Sequence, residues 1–166
     1  MTSHTFPRWV EPIAEQLRDG RRQIVEGAQA IPPDAWGRSS PAPGWTYKDA
    51  LSHLAAGDVF HQIVLSAVLD GGELDLRPVS AEREARTARI LKEGRSRTID
   101  ELIAEVESEG QETQKLLARL TDSDELVEVC TSRSAGSPIS LGEFLRAFPI
   151  HDREHLAHLP CCEAVR

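Results

Sequence analysis

Six histidines occur in the 166-residue chain, and three of them finish a helical stripe near its C-terminus. Leu141, Phe144 and Phe148 recur at spacings of three and four, and the same rhythm continues onto His151, His155 and His158. That spacing collects side chains on one helical face, the face that turns toward a core. His151 and His155 stand at i and i+4, the separation at which a helix chelates a metal ion. Two unrelated histidines can share that spacing, so the pair alone leaves both readings open. His53, far upstream on another predicted helix, offers a further imidazole beside the small residues Ala56 and Gly57.

The remaining polar candidates divide between chemistry and packing. His158, one turn past His155, is either a polar group hydrogen-bonded near the helix end or an outer-shell or fourth ligand. His61 falls within an apolar stripe and reads as a satisfied core histidine, with a share in a pocket wall as the alternative. His4 lies in a terminal tail and carries no role. Asp58, Asp152 and Glu154 could orient an imidazole or move a proton, and each also fits an exposed helix charge. For Asp152 and Glu154 the expectation is exposure, because neither shares the histidine stripe.

The elements that must position these residues read as helices. Val10, Ile13, Leu17, Ile24 and Val25 recur at helical spacing through residues 7–30. Gly20 is a weak point there, Pro12 is tolerable in the first turn, and Ile31-Pro32-Pro33 is a stop. A loop rich in Pro, Gly and Ser runs to Gly44, anchored by Trp36 and Trp45. Thr46-Tyr47-Lys48-Asp49 has the capping-box pattern and predicts one helix to about Leu69, with His53 on the flank of its apolar face. Residues 71–97 form a crossover, anchored by Leu74, Leu76 and Val79 and carrying a charged helical piece from Ala81 to Glu93.

Thr98-Ile99-Asp100-Glu101 opens the next helix. Its Ile99, Ile103, Val106, Gly110, Thr113, Leu117 and Leu120 keep an almost strict heptad rhythm, which predicts close packing along a partner helix. Thr121 to Asp124 ends it. Leu126 to Cys130 reads as a short extended piece and Thr131 to Pro138 as a flexible loop. Ser140-Leu141-Gly142-Glu143 is a third capping box and starts the last helix. Pro149 removes a backbone bond to the carbonyl of Leu145 and should kink or bulge that helix just before His151. The predicted architecture is all-α: one domain over residues 1–166, a four-helix bundle with a long crossover between the second and third bundle helices.

Composition narrows the partners. A net charge of −8, with no sustained basic cluster, argues against nucleic acid, whose binding displaces counterions through grouped Lys and Arg. No apolar run approaches the roughly 20 residues of a membrane span, and Met1 to Arg8 lacks a signal-peptide core. Three cysteines, an odd number, fit reduced thiols and a cytoplasmic location. The neighbours Cys161 and Cys162 make a poor structural disulfide.

Pro43-Gly44-Trp45-Thr46-Tyr47-Lys48-Asp49-Ala50-Leu51-Ser52-His53-Leu54, with Asp58 beyond it, resembles the Gly-Trp-Thr helix start that leads to the first metal histidine in the DinB-like superfamily. That superfamily includes the mycothiol-dependent maleylpyruvate isomerase type. His151-Asp152-Arg153-Glu154-His155-Leu156-Ala157 is similar to its paired histidines on the last helix, and the resemblance covers roughly residues 8–160. It implies that His53, His151 and His155 ligate a divalent metal ion, for which zinc and nickel both fit. Three neutral imidazoles would leave positions open for water or substrate, as in a catalytic site. The implied activity is that of an enzyme whose metal activates a low-molecular-weight thiol or water against a small-molecule electrophile, as a thiol transferase, isomerase or hydrolase. The alternative is a non-catalytic, stress-associated metal-binding or dimeric scaffold module. A homodimer is a family-level expectation, in keeping with the heptad rhythm. The chain departs from the pattern at His158, where relatives more often carry Gln. Arg146 and Arg153 are the nearest candidates for holding an anionic thiol cofactor.

Overall fold

Thr46, Thr98 and Ser140 each accept a hydrogen bond from the backbone N–H three residues on, while Asp49, Glu101 and Glu143 reach back to the cap residue's own N–H. These reciprocal bonds satisfy donors that every helix start leaves over, so they fix where three helices begin. The computed structural model describes residues 6–71, 74–78, 82–130 and 137–159. Its helices are α1 (Glu11–Gln29), α2 (Tyr47–Ala55), α3 (Gly57–Leu69), α4 (Arg83–Arg95), α5 (Ile99–Leu117) and α6 (Leu141–Leu156). α1, the α2–α3 pair, α5 and α6 form the four rods of a bundle. α4 occupies the crossover between the second and third rods and packs against α2. The predicted bundle and its crossover are therefore both present. No helix among the described residues is long and apolar enough to cross a membrane.

A short sheet joins the crossover to the approach of α6. β1 (Leu74–Asp75) pairs in parallel with β2 (Glu128–Cys130), and β2 pairs antiparallel with β3 (Ile139–Ser140). The expected extended piece corresponds to β2. β1 and β3 are two residues each, too short to leave an alternating pattern in sequence.

One helical detail departs from expectation. The second rod is not one helix: it breaks at Ala56, immediately before Gly57, whose backbone entropy makes it the weakest helix former in the segment. α6 spans Pro149, which is buried within it. Neighbouring packing thus holds the helix across the missing bond. Val79, Ala81, most of the Thr131–Pro138 loop, His4, Cys161 and Cys162 lie outside the described residues.

The packing of α4 on α2 is tight enough to constrain the site. Asp49 is buried in α2, caps Thr46, and accepts from Arg95 Nε of α4 at 3.1 Å. Gly94 of α4 lies against Ser52, the residue before His53; a Cβ on Gly94 would fall 2.5 Å from Ser52 Cβ and closer still to its hydroxyl. Gly94→Ala should therefore push α4 off α2. The overlap costs about 1–3 kcal/mol, against a helix-propensity gain of about 1 kcal/mol, so a net loss in urea-unfolding free energy is expected. A stabilised variant would contradict this packing.

The apolar core is in two clusters. One gathers Val10, Ile13, Leu17, Leu65, Leu117, Leu141, Leu145 and Phe148 with their neighbours. The other gathers Ile24, Ala28, Leu51, Leu54, Leu102, Val106, Leu156 and Leu159 with theirs. On every rod the chain passes from one cluster to the other, and at each passage a polar residue or a glycine takes the buried position.

Candidate metal centre

The deepest face of α6 is not the one that ends in histidines. Leu141, Leu145, Phe148, Asp152 and Leu156, continued by Leu159, are all buried, whereas Phe144, His151, His155 and His158 are half-buried on the adjoining flank. That flank faces α2. His53 of α2 comes within 4.4 Å of His155 and 5.6 Å of His151, measured between ring centroids, and His151 and His155 are 4.4 Å apart. One potential ligand nitrogen from each of the three lies within 4.8 Å of the other two. The structure thus brings together the three histidines singled out in the sequence, from two helices far apart in the chain.

Trp45 walls the cluster, 5.1 Å from His53 in an edge contact and stacked 6.2 Å from His155. It is delivered by Gly44, whose φ of +79° is a left-handed conformation that glycine tolerates without strain. His158 lies 5.3 Å from His155 but is not one of the three residues whose nitrogens converge. Among the described residues no fourth His, Cys, Asp or Glu joins them.

Two of the imidazoles, His53 and His155, are held neutral. Burial pushes His53 down to about 4, helped by the positive charges of His151 and Arg83. Burial likewise pushes His155 down to about 3, with His53 and His151 adding to it. Arg83 and Arg86 of α4 both act on His53 electrostatically, so α4 supplies the cations near the site. Arg146, proposed from sequence, instead pairs with Glu125 at 2.9 Å, and Arg153 is exposed on the far side of α6 from α2.

Below the histidines, between the two apolar clusters, is a buried polar layer that sequence reading missed. Arg21 of α1 donates through Nε to Asp58 of α3 and through Nη1 to Asp152 of α6 at 2.8 Å. Thr113 of α5 donates to Asp58 at 2.9 Å, and Gly110 leaves room for the Arg21 stem, which a Cβ there would approach to 3.2 Å. Asp152, expected to be exposed, is 3% exposed, because Arg21 supplies the partner that makes its burial possible. Asp58 is buried for the same reason, while Glu154 is exposed as expected. His61 is a core histidine: its ring stacks on Phe148 at 3.8 Å, with Nδ1 3.4 Å from Asp58. A signal for the layer did exist. Arg21 falls in register with Leu17, Ile24 and Ala28, and Asp152 with Phe148 and Leu156. Opposite charges in the core stripes of different helices imply each other.

Burial alone would raise the Asp58 carboxyl, but His61 and Arg21 outweigh it and hold Asp58 down to about 2. Two acid-sensitive contributions follow. The neutral histidines oppose protonation that the unfolded chain accepts, so stability of the metal-free protein should fall as pH drops below about 6.5 toward 4. Asp58, lowered from its ordinary value of 3.8 to about 2, contributes stability that is complete above 3.8 and lost as pH approaches 2. Urea midpoints of metal-free protein between pH 7 and pH 3 should decline throughout; a flat profile would contradict both assignments.

Solved structures share this arrangement of helices. The chain aligns with the mycothiol-dependent maleylpyruvate isomerase at a TM-score of 0.73 and 16% identity, covering 91% of this chain and 60% of that one. A histidine-to-alanine variant of that isomerase aligns at 0.74 with the same identity and coverage. YfiT from Bacillus subtilis, described as a probable metal-dependent hydrolase with an unusual four-helix bundle topology, aligns at 0.70 and 16% identity, covering 90% and 83%. The chain therefore spans less than two thirds of the isomerase and most of YfiT. No curated protein matches it by sequence. The family model of the mycothiol maleylpyruvate isomerase N-terminal domain matches residues 17–158, a span that takes in all three converging histidines and the whole polar layer. By that match, the chain belongs to the mycothiol maleylpyruvate isomerase N-terminal domain family, within the DinB-like superfamily.

Proposed function

We propose that His53, His151 and His155 hold a divalent metal ion, zinc or nickel, at which the protein activates a low-molecular-weight thiol or water against an electrophilic small molecule. The observation that carries this reading is the convergence of three imidazole nitrogens within 4.8 Å, with no fourth ligand group among the described residues. The residues also fit the group chemically. Nδ1 of His53 and Nδ1 of His155 are buried without a hydrogen-bond partner, and both rings remain neutral well below pH 7, so a metal meets no proton competition there.

When bound, such an ion lowers the pKa of a coordinated thiol or water and yields a nucleophile near neutral pH. The chain's own contribution is positional. α2 and α6 hold the rings in register, and Trp45 shields them on one side from solvent. His151, with its side chain 40% exposed, leaves an approach open. Arg83 and Arg86 create a positive field at the site that favours a substrate or thiol carrying an anionic group. The similarity to an isomerase and to a probable hydrolase supports both thiol and water as the activated group.

The competing reading is a metal-binding scaffold without catalysis. Metal analysis of dialysed protein, followed by thiol-transfer and hydrolysis assays on a panel of electrophiles, separates the two. About one metal ion per chain together with turnover supports the enzyme; bound metal without turnover across the panel favours the scaffold; no metal sinks both.

A further inference from the structure

Asp152 carries one carboxylate oxygen that the fold does not use. Its Oδ2 accepts from Arg21 Nη1 at 2.8 Å, while its Oδ1 is buried, has no hydrogen-bond partner and lies 3.6 Å from Nδ1 of His151. Two carboxylates share one guanidinium in this layer. Asp58 uses both oxygens, one on Arg21 and one on Thr113, so the carboxylate oxygen of the pair left without a hydrogen bond is Asp152 Oδ1, which faces His151. Nothing in the packing of the bundle calls for that oxygen. An apolar side chain at the same place on α6 would join the two clusters into one core.

We infer that Asp152 is a positioning residue for the three-histidine site: it receives the Nδ1 proton of His151, fixes the tautomer and orientation of that ring, and turns Nε2 toward the metal. This rests on the metal reading given above. Arg21 acts one step further out, holding the other oxygen of Asp152 from α1. A carboxylate behind a ligand imidazole also raises the basicity of its free nitrogen, and loss of such a partner commonly weakens metal binding by about 10–100-fold.

The test uses Co²⁺ as the probe, titrated into metal-free full-length protein and followed by its visible absorption. Melting temperature is recorded in parallel on the metal-free form. Asp152→Asn should weaken Co²⁺ at least tenfold and alter the band shape. Asp58→Asn removes an equal charge from the same layer without facing His151, and should lower the melting temperature while leaving Co²⁺ affinity within about threefold of the parent. Should Asp152→Asn fail to fold, the triple change Arg21→Leu, Asp58→Leu, Asp152→Leu removes every charge of the layer and carries the same expected loss of affinity. Unchanged affinity in Asp152→Asn, or equal losses in the Asp152 and Asp58 variants, would overturn the inference. Failure of the parent protein itself to bind Co²⁺, Zn²⁺ or Ni²⁺ would instead overturn the metal reading, and the positioning role with it.

Discussion

His155→Ala is expected to leave purified protein without stoichiometric metal after dialysis, measured by elemental analysis. His155 is the centre of the cluster, 4.4 Å from both His53 and His151, so its loss leaves the two remaining rings at the widest separation in the set. Two imidazoles that far apart hold a divalent ion weakly, whereas three converging ones make a site of catalytic type. His53→Ala should behave alike, because it removes the α2 contribution and leaves a pair on one helix. His158→Gln should retain the metal of the parent, since its nitrogens do not converge with the others. Metal retained in both alanine variants would refute the ligand assignment, and metal lost in His158→Gln would add a ligand. None of the three should unfold the protein, because these side chains are half-buried on the flank of α6 and α2, outside the two apolar clusters.

The largest effect on stability is expected from Arg21→Met. The side chain is 9% exposed and is the partner of two buried aspartates. Burial opposes its charge, but Asp152 and Asp58 more than reverse this, and its pKa is raised. Methionine fills most of the stem volume yet leaves two carboxylates close together with no cation between them. Breaking a buried pair in this way costs about 3–5 kcal/mol, out of a total stability of roughly 5–15 kcal/mol for an ordinary domain. Urea denaturation should show the midpoint collapse, most severely at neutral pH where both carboxylates are ionised. A loss under about 1 kcal/mol would mean that the ion pairs are not formed as drawn. Replacing all three charges by apolar residues should recover much of the loss, because a well-packed core does as well as a buried triad.

Sequence patterns located the helix starts because the signal there is local. A capping box is complete within four residues, and Thr46, Thr98 and Ser140 needed no knowledge of the rest of the fold. The histidine pair on α6 was legible for the same reason, as a spacing on one helix. The orientation of α6 was not. Stripes one residue apart differ by about 100° of rotation, and the stripe through Phe144, His151, His155 and His158 competed with the one through Leu145, Phe148, Asp152 and Leu156. A charge in the second stripe made it look like the solvent side. Only the position of Arg21, more than a hundred residues earlier in the chain, reverses that choice.

What the chain determined by itself, then, was the four rods of the bundle and the residues able to do chemistry: three imidazoles at the right places on two amphipathic segments. Tertiary structure decided which of those groups meet, and what lies behind them. Whether a charged side chain faces solvent or a buried partner depends on a second segment brought alongside by folding, and the desolvation of Asp58, Asp152 and Arg21 is tolerable only when all three arrive together. The spacing of His151 and His155 belongs to one helix. Their arrangement with His53, and the carboxylate behind His151, belong to the bundle.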